Sequence, residues 1–286
     1  MKMAVIGCGL IGGSMALSWK RAGIVDEVIA FGHNPATLQK ALDKGAADTV
    51  TTSMEEAVKD ADIVVSAVPV EAMESVFTEM APFLKSDAVV TDVGSTRQTV
   101  IAAARKGLGD KFHQYAPAHP IAGGEMPGVD YASADLFDEK VVISTPDEGM
   151  DPKVVTFIEE AWRKAGARVQ AMSPLQHDLT FASVSHLPHV LAYALVDMIA
   201  REENAQEKLK MAGAGFGDFT RIASSSPVMW RDICLSNREA LSHELKRYRA
   251  SLDTLQKYID ESDGKALESV FENAVRNRRG LVFPGK

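Results

Sequence analysis

The segment over residues 3–14 constrains the fold more than any other part of this chain. A short apolar strand there runs into the pattern G-x-G-x-x-G and then into a helical pattern over residues 10–22. Gly7 allows a tight turn, Gly9 lets the backbone approach a pyrophosphate, and Gly12 lets the helix pack close to the strand. The free N–H groups of the first helical turn would face the phosphates. The segment therefore predicts a dinucleotide-binding strand, turn and helix.

An alternating pattern of strands and helices continues behind this unit. Residues 62–69 and 88–92 are near-continuous apolar runs, as expected for parallel strands that are buried on both faces. Further strands are predicted at 27–31, 48–51, 140–144 and 167–171. A glycine turn without a ligand is the alternative interpretation, and the alternating context disfavours it. We predict an α/β fold with a Rossmann-type, mostly parallel sheet.

The pattern changes after residue 171, because only helical periodicity follows. This change predicts two domains, a dinucleotide-binding domain over 1–171 and a helical substrate and dimerisation domain over 172–286. Residues 237–278 alternate charged and apolar side chains, which predicts a long helical hairpin. Such a face often packs against a second subunit, although a solvated face explains the charges equally well.

Composition excludes several classes of function. The formal charge of -8 argues against general nucleic-acid binding, which needs a basic surface. The two cysteines, Cys8 and Cys234, form no metal-binding or disulfide pattern. No apolar run approaches the roughly 20 residues that a membrane span needs, and the first strand begins without a leader. We expect a cytoplasmic protein that binds neither nucleic acid nor membrane.

The second predicted strand ends at Phe31, where a dinucleotide site usually places an acidic residue on the ribose 2′-hydroxyl. The chain has Gly32 and His33 there instead, which leaves room for a 2′-phosphate but supplies no neighbouring arginine. The choice between NAD and NADP therefore stays open. The predicted cofactor-binding residues are Gly7, Gly9, Leu10, Ile11, Gly12, Gly32, His33, Val68 and Pro69.

Two side chains follow strands at the predicted ligand edge of the sheet. His119 lies in a segment rich in proline and glycine that neither a helix nor a central strand would tolerate, so we predict a loop. A histidine there suits acid–base chemistry beside a nicotinamide, and a structural histidine is the alternative. Ser95 follows the strand at 88–92, where a helix N-cap is the commoner role for serine.

The helical half contains two further groups of candidates. His186 and His189 lie one helical turn apart, so they could bind a metal ion, but no cysteine or carboxylate completes a site. Hydrogen bonding to a polar ligand fits them better. Arg221 and Arg231 are candidate carboxylate ligands, and Asp218 lies one turn before Arg221. A surface ion pair is the alternative for each arginine.

Taken together, these motifs resemble those of the prephenate and arogenate (cyclohexadienyl) dehydrogenases of tyrosine biosynthesis. The shared segments, in the family's order and spacing, are the glycine loop and residues 91–95, 119–125, 185–189 and 215–221. The resemblance implies oxidative decarboxylation of prephenate to 4-hydroxyphenylpyruvate, or of arogenate to tyrosine, with reduction of a nicotinamide. It also implies a Rossmann domain and a helical domain that forms a homodimer.

The resemblance also assigns roles to residues. His119 matches the catalytic histidine that accepts the proton of the ring hydroxyl, and Ser95 matches a serine that orients this hydroxyl. Arg221 matches the arginine that binds a substrate carboxylate. The remaining matches are Ser185, His186 and His189 as pocket residues, with Glu125 and Asp218 as acids that pair with the arginine. No metal is implied.

Two positions depart from the family pattern. Gly32 replaces the acid expected for NAD, and Gly217 replaces a basic residue common before the family's aspartate. Glu125 favours prephenate over arogenate as substrate, by resemblance only. We expect no added regulatory domain, so feedback inhibition by tyrosine would act through the active site.

Two other functions remain open from the residues. A β-hydroxyacid dehydrogenase would share the sheet and a helical second domain, but such enzymes usually carry a catalytic lysine where this chain offers histidines. A protein that senses NAD(P) without turnover would have the same fold.

Overall fold

The computed structural model describes residues 1–124 and 126–281, and its first half is built on a six-stranded sheet. The strands are β1 (Lys2–Ile6), β2 (Glu27–Phe31), β3 (Thr49–Thr51), β4 (Ile63–Ser66), β5 (Val89–Asp92) and β6 (Tyr115–Ala116). Their order is β3-β2-β1-β4-β5-β6, and every neighbouring pair is parallel. All six carboxyl ends therefore lie at one edge, and the predicted Rossmann-type fold is confirmed.

Helices cover both faces of this sheet. They are α1 (Leu10–Arg21), α2 (Pro35–Asp43), α3 (Met54–Val58), α4 (Met73–Met80), α5 (Gln98–Leu108) and α6 (Pro152–Lys164). On one face Trp19 meets Trp162 edge to face, with ring centroids 5.6 Å apart. On the other face Phe77 meets Tyr115 in the same way at 5.5 Å. Two apolar cores therefore hold the sheet between layers of helices.

A second sheet carries His119. It consists of β7 (Ala118–Pro120), β8 (Val141–Ser144) and β9 (Arg168–Ala171), with β7 antiparallel and β9 parallel to the central β8. The prediction of a loop at His119 is therefore wrong, because His119 pairs with Ile143 in this ladder. Pro120 is tolerated there because β7 is an edge strand.

After β9, the described part of the chain contains only helices. They are α7 (Pro174–Phe181), a π-helical turn (Ala182–His186), α8 (Leu187–Ala200), α9 (Ala205–Lys210), α10 (Ala214–Thr220), α11 (Pro227–Ser236), α12 (Arg238–Asp260) and α13 (Gly264–Arg279). Helices α12 and α13 form the predicted hairpin.

The continuous helical stretch Pro174–Ala200 corrects one expectation from composition. Its 27 residues contain a window with a mean hydropathy of 1.4, so it is long and apolar enough to cross a membrane. Polar residues interrupt the apolar letters repeatedly, which hides the average in the sequence. Three of those polar residues, His177, Asp178 and His186, are buried within the fold. Two of them, His177 and Asp178, tie the helix to β7 and to the start of α5.

Candidate active site

The glycine loop between β1 and α1 fits a dinucleotide by close packing. Gly7 has φ +91°, and a Cβ there would lie 2.7 Å from the carbonyl oxygen of Ala67. A Cβ at Gly12 would lie 2.5 Å from the carbonyl oxygen of Gly7 and 3.0 Å from a methyl group of Val5. Both positions exclude side chains because of the protein's own backbone. The loop and helix therefore sit as close to the strand as a nucleotide-binding turn requires.

Gly9 differs from these two glycines, because a Cβ there would meet nothing within 4 Å. Its φ of -92° and ψ of -151° suit any residue, and it precedes α1 without a side-chain cap. Leu10 and Ile11 follow at the start of α1 and are partly buried. The protein itself does not need a glycine at this position. The space beside Gly9 is where a pyrophosphate would approach the uncapped N–H groups of the helix.

This difference predicts that Gly9→Ala weakens NAD+ binding without destabilising the protein. We expect the Kd for NAD+ to rise roughly tenfold, or about 1.4 kcal/mol, while the thermal midpoint stays unchanged. Gly213→Ala is the matched control, since Gly213 also precedes a helix with φ -92° and has nothing within 4 Å of its Cβ position. Equal affinities in both variants would contradict the placement of the pyrophosphate at Gly9.

The predicted adenosine end lies at the same edge of the sheet. Gly32 follows β2 and is partly buried, and the exposed His33 packs its ring edge to face on Phe31 with centroids 5.2 Å apart. Val68 follows β4, with a methyl carbon 3.0 Å from the Cβ position of Gly7, and Pro69 comes next. The structure thus groups the predicted cofactor residues around the ends of three adjacent strands.

His119, the predicted catalytic residue, is buried, with 8% of its surface exposed. Its Nδ1 lies 2.8 Å from Nε2 of His177 in α7. Nδ1 of His177 lies 2.8 Å from Oδ1 of Asp178. A continuous line of hydrogen-bonding groups therefore joins the edge strand β7 to the helical half. Among the hydrogen bonds between described residues, none involves Nε2 of His119, which is left for a ligand.

Asp178 also caps helix α5. It accepts hydrogen bonds from the backbone N–H groups of Arg97 at 2.8 Å and Gln98 at 2.9 Å. These are donors that a helix N-terminus leaves unsatisfied. The N-cap interpretation of Ser95 is therefore wrong, because a carboxylate from another helix supplies the cap. Ser95 lies partly buried in the turn between β5 and α5.

A buried ion pair lies beneath this cluster. Both nitrogens of the Arg97 fork contact the Asp92 carboxylate, at 2.6 and 3.1 Å, and both side chains are fully buried. The Tyr115 hydroxyl and the Gly94 N–H also donate to Asp92, at 2.6 and 2.7 Å. A buried pair is tolerated only when its remaining hydrogen-bonding capacity is used in this way. The pair fixes a positive charge close to His119, since Arg97 also reaches the Ala118 carbonyl at 3.5 Å.

This environment keeps His119 neutral. Burial holds the pKa of His119 well below its ordinary value, and His177, Arg97 and His186 lower this pKa further. A neutral imidazole has a free lone pair and can accept a proton at physiological pH. The site is therefore suited to general-base catalysis.

The helical half contributes a second cluster of rings, in which two histidines pack against one tryptophan. The His189 ring stacks on Trp230 with centroids 3.6 Å apart, and His186 meets the same indole edge to face at 6.1 Å. Burial lowers the pKa of His186 to about 4, so this ring is neutral as well. His189 Nδ1 lies 2.8 Å from the carbonyl oxygen of Ser185. In residues 1–124 and 126–281, no three metal-binding side chains are grouped as a metal site would need.

The predicted carboxylate-binding arginines and the acids predicted beside them differ in their exposure and in their ion pairs. Arg221 is exposed after α10, and its charge adds to burial in lowering the pKa of His189, so the two side chains lie near each other. Asp218 is exposed, and in the described part of the chain it forms no ion pair. Arg231 pairs with its neighbour Asp232, with Nη2 and Oδ1 2.6 Å apart. Glu125 lies outside the described residues.

Sequence reasoning missed His177, Asp178 and Trp230. His177 and Asp178 contact His119 and α5, which are distant in the sequence, so local spacing could not reveal them. One signal was available, because an adjacent histidine and aspartate open an otherwise apolar helix. Buried charged or polar pairs on such a helix usually have partners.

The Rossmann-type sheet, the glycine loop and the buried neutral imidazole define an NAD(P)-dependent oxidoreductase with a helical second half. Two family models match this chain: the nucleotide-binding domain of prephenate dehydrogenase over residues 15–171, and the prephenate dehydrogenase dimerization domain over residues 173–273. The chain belongs to the prephenate dehydrogenase family.

Several relatives cover nearly the whole chain. The cyclohexadienyl dehydrogenase of Zymomonas mobilis is 36% identical over 281 residues, which span 98% of this chain and 95% of that protein. The prephenate dehydrogenase of Bacillus subtilis is 34% identical over 98% of this chain and 76% of its own length. The crystal structure of A. aeolicus prephenate dehydrogenase in complex with hydroxyphenyl propionate and NAD+ is 34% identical, covers 98% of both chains and has a TM-score of 0.90.

Proposed function

We propose that this protein is a prephenate dehydrogenase that converts prephenate to 4-hydroxyphenylpyruvate and carbon dioxide while reducing NAD(P)+. The observation that carries the proposal is the buried, neutral His119, hydrogen bonded across to the helical half in a chain of this family. The bound nicotinamide supplies the hydride acceptor. The protein's part is to hold the ring in place and to accept the proton of the ring hydroxyl.

His119 acts as the general base. As hydride leaves the carbinol carbon, the hydroxyl gains carbonyl character and its proton passes to the imidazole. Loss of carbon dioxide then makes the ring aromatic, which drives the reaction forward. Ser95, at the turn between β5 and α5, orients the hydroxyl. Burial supports the assignment of His119, because it keeps the imidazole free of a proton before the reaction.

The helical half binds the acidic side of the substrate. Arg221 binds a substrate carboxylate, and Ser185, His186 and His189 line the pocket behind it. The stack of His189 on Trp230 supports this arrangement, since it fixes the ring whose pKa the charge of Arg221 lowers. Asp218 and Glu125 act as acids near the entrance, as the family pattern implies.

The nucleotide lies along the carboxyl edge of the parallel sheet. The proposed contacts are Gly7, Gly9, Leu10, Ile11, Gly12, Gly32, His33, Val68 and Pro69. Gly32 supports use of either nucleotide, because it has no side chain that would bind a 2′-hydroxyl or repel a 2′-phosphate. NAD+ is present in the similar A. aeolicus structure, so it is the first nucleotide to test.

The proposed domains are 1–171 for the nucleotide and 172–286 for substrate and dimerisation. Large exposed apolar side chains are concentrated in the second domain, and they include Leu175, Val184, Met198, Leu235, Phe271 and Val275. A second copy of this chain would cover them, as expected for a dimerization domain. We place the homodimer in the cytoplasm, with tyrosine as a feedback inhibitor that binds in the active site.

The test is an absorbance assay for reduced nicotinamide with each combination of prephenate or arogenate and NAD+ or NADP+. We expect turnover of prephenate with NAD+, and liquid chromatography should identify 4-hydroxyphenylpyruvate as the product. Turnover of arogenate but not of prephenate would show that arogenate is the substrate. A structure named as Synechocystis arogenate dehydrogenase is also similar to this chain. Binding of NAD+ without turnover of either substrate would contradict the proposal and indicate a nucleotide sensor.

A further inference from the structure

We propose that His177 and Asp178 are positioning residues that fix the tautomer of His119, so that the lone pair of its Nε2 faces the substrate. The inference rests on the proposed function, because it explains how His119 becomes a base. It also makes a structural claim, the position of a proton, that can be measured without turnover.

The argument begins at Asp178. Burial alone would raise the pKa of this carboxyl, but hydrogen bonds from His177 and from the backbone of Gln98 and Arg97 lower it overall. The group is therefore a carboxylate, which can only accept hydrogen bonds. Its contact with Nδ1 of His177, at 2.8 Å, must be a hydrogen bond that His177 donates.

The position of the proton on His177 then determines the position of the proton on His119. A neutral imidazole carries one proton, so Nδ1–H in His177 leaves its Nε2 as an acceptor. Burial lowers the pKa of His177, although Asp178 opposes that effect, and the ring is neutral at physiological pH. Nδ1 of His119 lies 2.8 Å from this Nε2, so His119 must donate the hydrogen bond between them. His119 therefore carries its proton on Nδ1 and a lone pair on Nε2.

The surroundings hold this arrangement in place. Phe181 packs against both imidazoles, with ring centroids 5.1 Å from His119 and 4.4 Å from His177. Asn237 donates to the backbone carbonyl of Asp178 at 2.8 Å, which ties α12 to the line. The charged and titratable groups around the two rings are His177, Arg97 and His186 for His119, with Asp178, Arg97 and Asp92 for His177.

The line also explains how the site tolerates the proton that His119 accepts. An imidazolium at His119 would lie close to the buried Arg97, which disfavours it. Its Nδ1–H would keep an acceptor in His177, and the negative charge of Asp178 would lie one ring further along. Without His177, the imidazolium would bury an unpaired donor, which is costly. The residue that supports His119 is thus supplied by the other half of the chain.

The direct test is ¹⁵N NMR of the histidine rings in the protein with NAD+ bound, near pH 7.5. We expect His119 and His177 to show protonated Nδ1 and bare Nε2 nitrogens, with assignments from His119→Asn and His177→Gln. A proton on Nε2 of His119 would overturn the inference. This readout does not depend on turnover, so its failure is distinguishable from failure of the proposed function, which an inactive wild-type protein would show.

Kinetics of two variants at His177 provide the second test. Leucine removes the acceptor for His119, whereas the amide oxygen of glutamine can take the place of Nε2. We expect His177→Leu to lower kcat on prephenate tenfold or more, with nearly unchanged KM. His177→Gln should recover most of kcat. Equal losses of kcat in both variants, or a loss that falls mainly on KM, would show a packing role and overturn the inference.

Asp178→Asn completes the set and keeps the test decisive if His177→Leu does not fold. The carboxamide can donate to Nδ1 of His177, which reverses both tautomers and places a proton on Nε2 of His119. A comparable change in the serine-protease triad costs about 10⁴-fold in kcat, so we expect a loss on the order of 10³-fold. Retention of full activity would overturn the inference. His113→Leu, at an exposed histidine bonded to the Asp110 carbonyl, is the control outside the site.

Discussion

His119→Asn should lower kcat for prephenate by two orders of magnitude or more, within the range of 10²- to 10⁴-fold typical of a positioned base. Asparagine keeps a hydrogen-bonding group of similar size near the position of Nδ1, so the contact to His177 can persist. Its amide is far too weak a base to take the proton of the ring hydroxyl. The loss should therefore fall on turnover rather than on binding.

The pH dependence separates this explanation from a packing defect. Because burial holds the pKa of His119 well below 6.5, wild-type activity should persist below pH 6.5 and decline only as the pH falls through that lowered pKa. This acid limb should disappear in His119→Asn, while the Kd for NAD+ stays within about twofold. An unchanged kcat, or an acid limb that survives the substitution, would reject His119 as the base.

Arg221→Ala should raise KM for prephenate roughly 30-fold, which corresponds to about 2 kcal/mol. This loss of binding free energy is at the low end of the range for a charged contact, because Arg221 is exposed and solvent screens its charge. The effect on kcat should be small, since we propose that the guanidinium binds a carboxylate rather than the reacting carbon. Steady-state kinetics over a wide range of prephenate concentrations measure both quantities.

Arg231→Ala is the matched control for this experiment. Arg231 is also an exposed arginine of the helical half, but its partner is the adjacent Asp232. It should therefore change KM by less than about twofold. Similar increases in both variants would indicate a general effect of positive charge, and an unchanged KM in Arg221→Ala would remove Arg221 from the binding site.

The fold was predictable because its main signals are local. Gly7, Gly9 and Gly12 lie within six residues, and the buried strands are continuous apolar runs. Both signals depend on backbone geometry and on burial from two faces, which a sequence displays directly. The change to helical periodicity after residue 171 is equally visible, and the structure has only helices in the described residues beyond β9.

The site was less predictable, because its contacts join distant segments. His119 and His177 are 58 positions apart and meet only in the folded chain, where α7 reaches strand β7. Ser95 looked like an N-cap because a local serine is the usual solution, but Asp178 reaches the same N–H groups from 80 residues away. Pro120 suggested a loop at His119, since sequence alone does not show that β7 lies at an edge.

The central claim is that the imidazole of His119 and the guanidinium of Arg221 bind opposite ends of one ring beside the nicotinamide. A crystal structure of this protein with NAD+ and hydroxyphenyl propionate tests it most directly. We expect the phenolic oxygen about 2.6–3.2 Å from Nε2 of His119 and the carboxylate paired with Arg221. A ring bound away from His119, or an Nε2 turned away from the phenolic oxygen, would contradict the account.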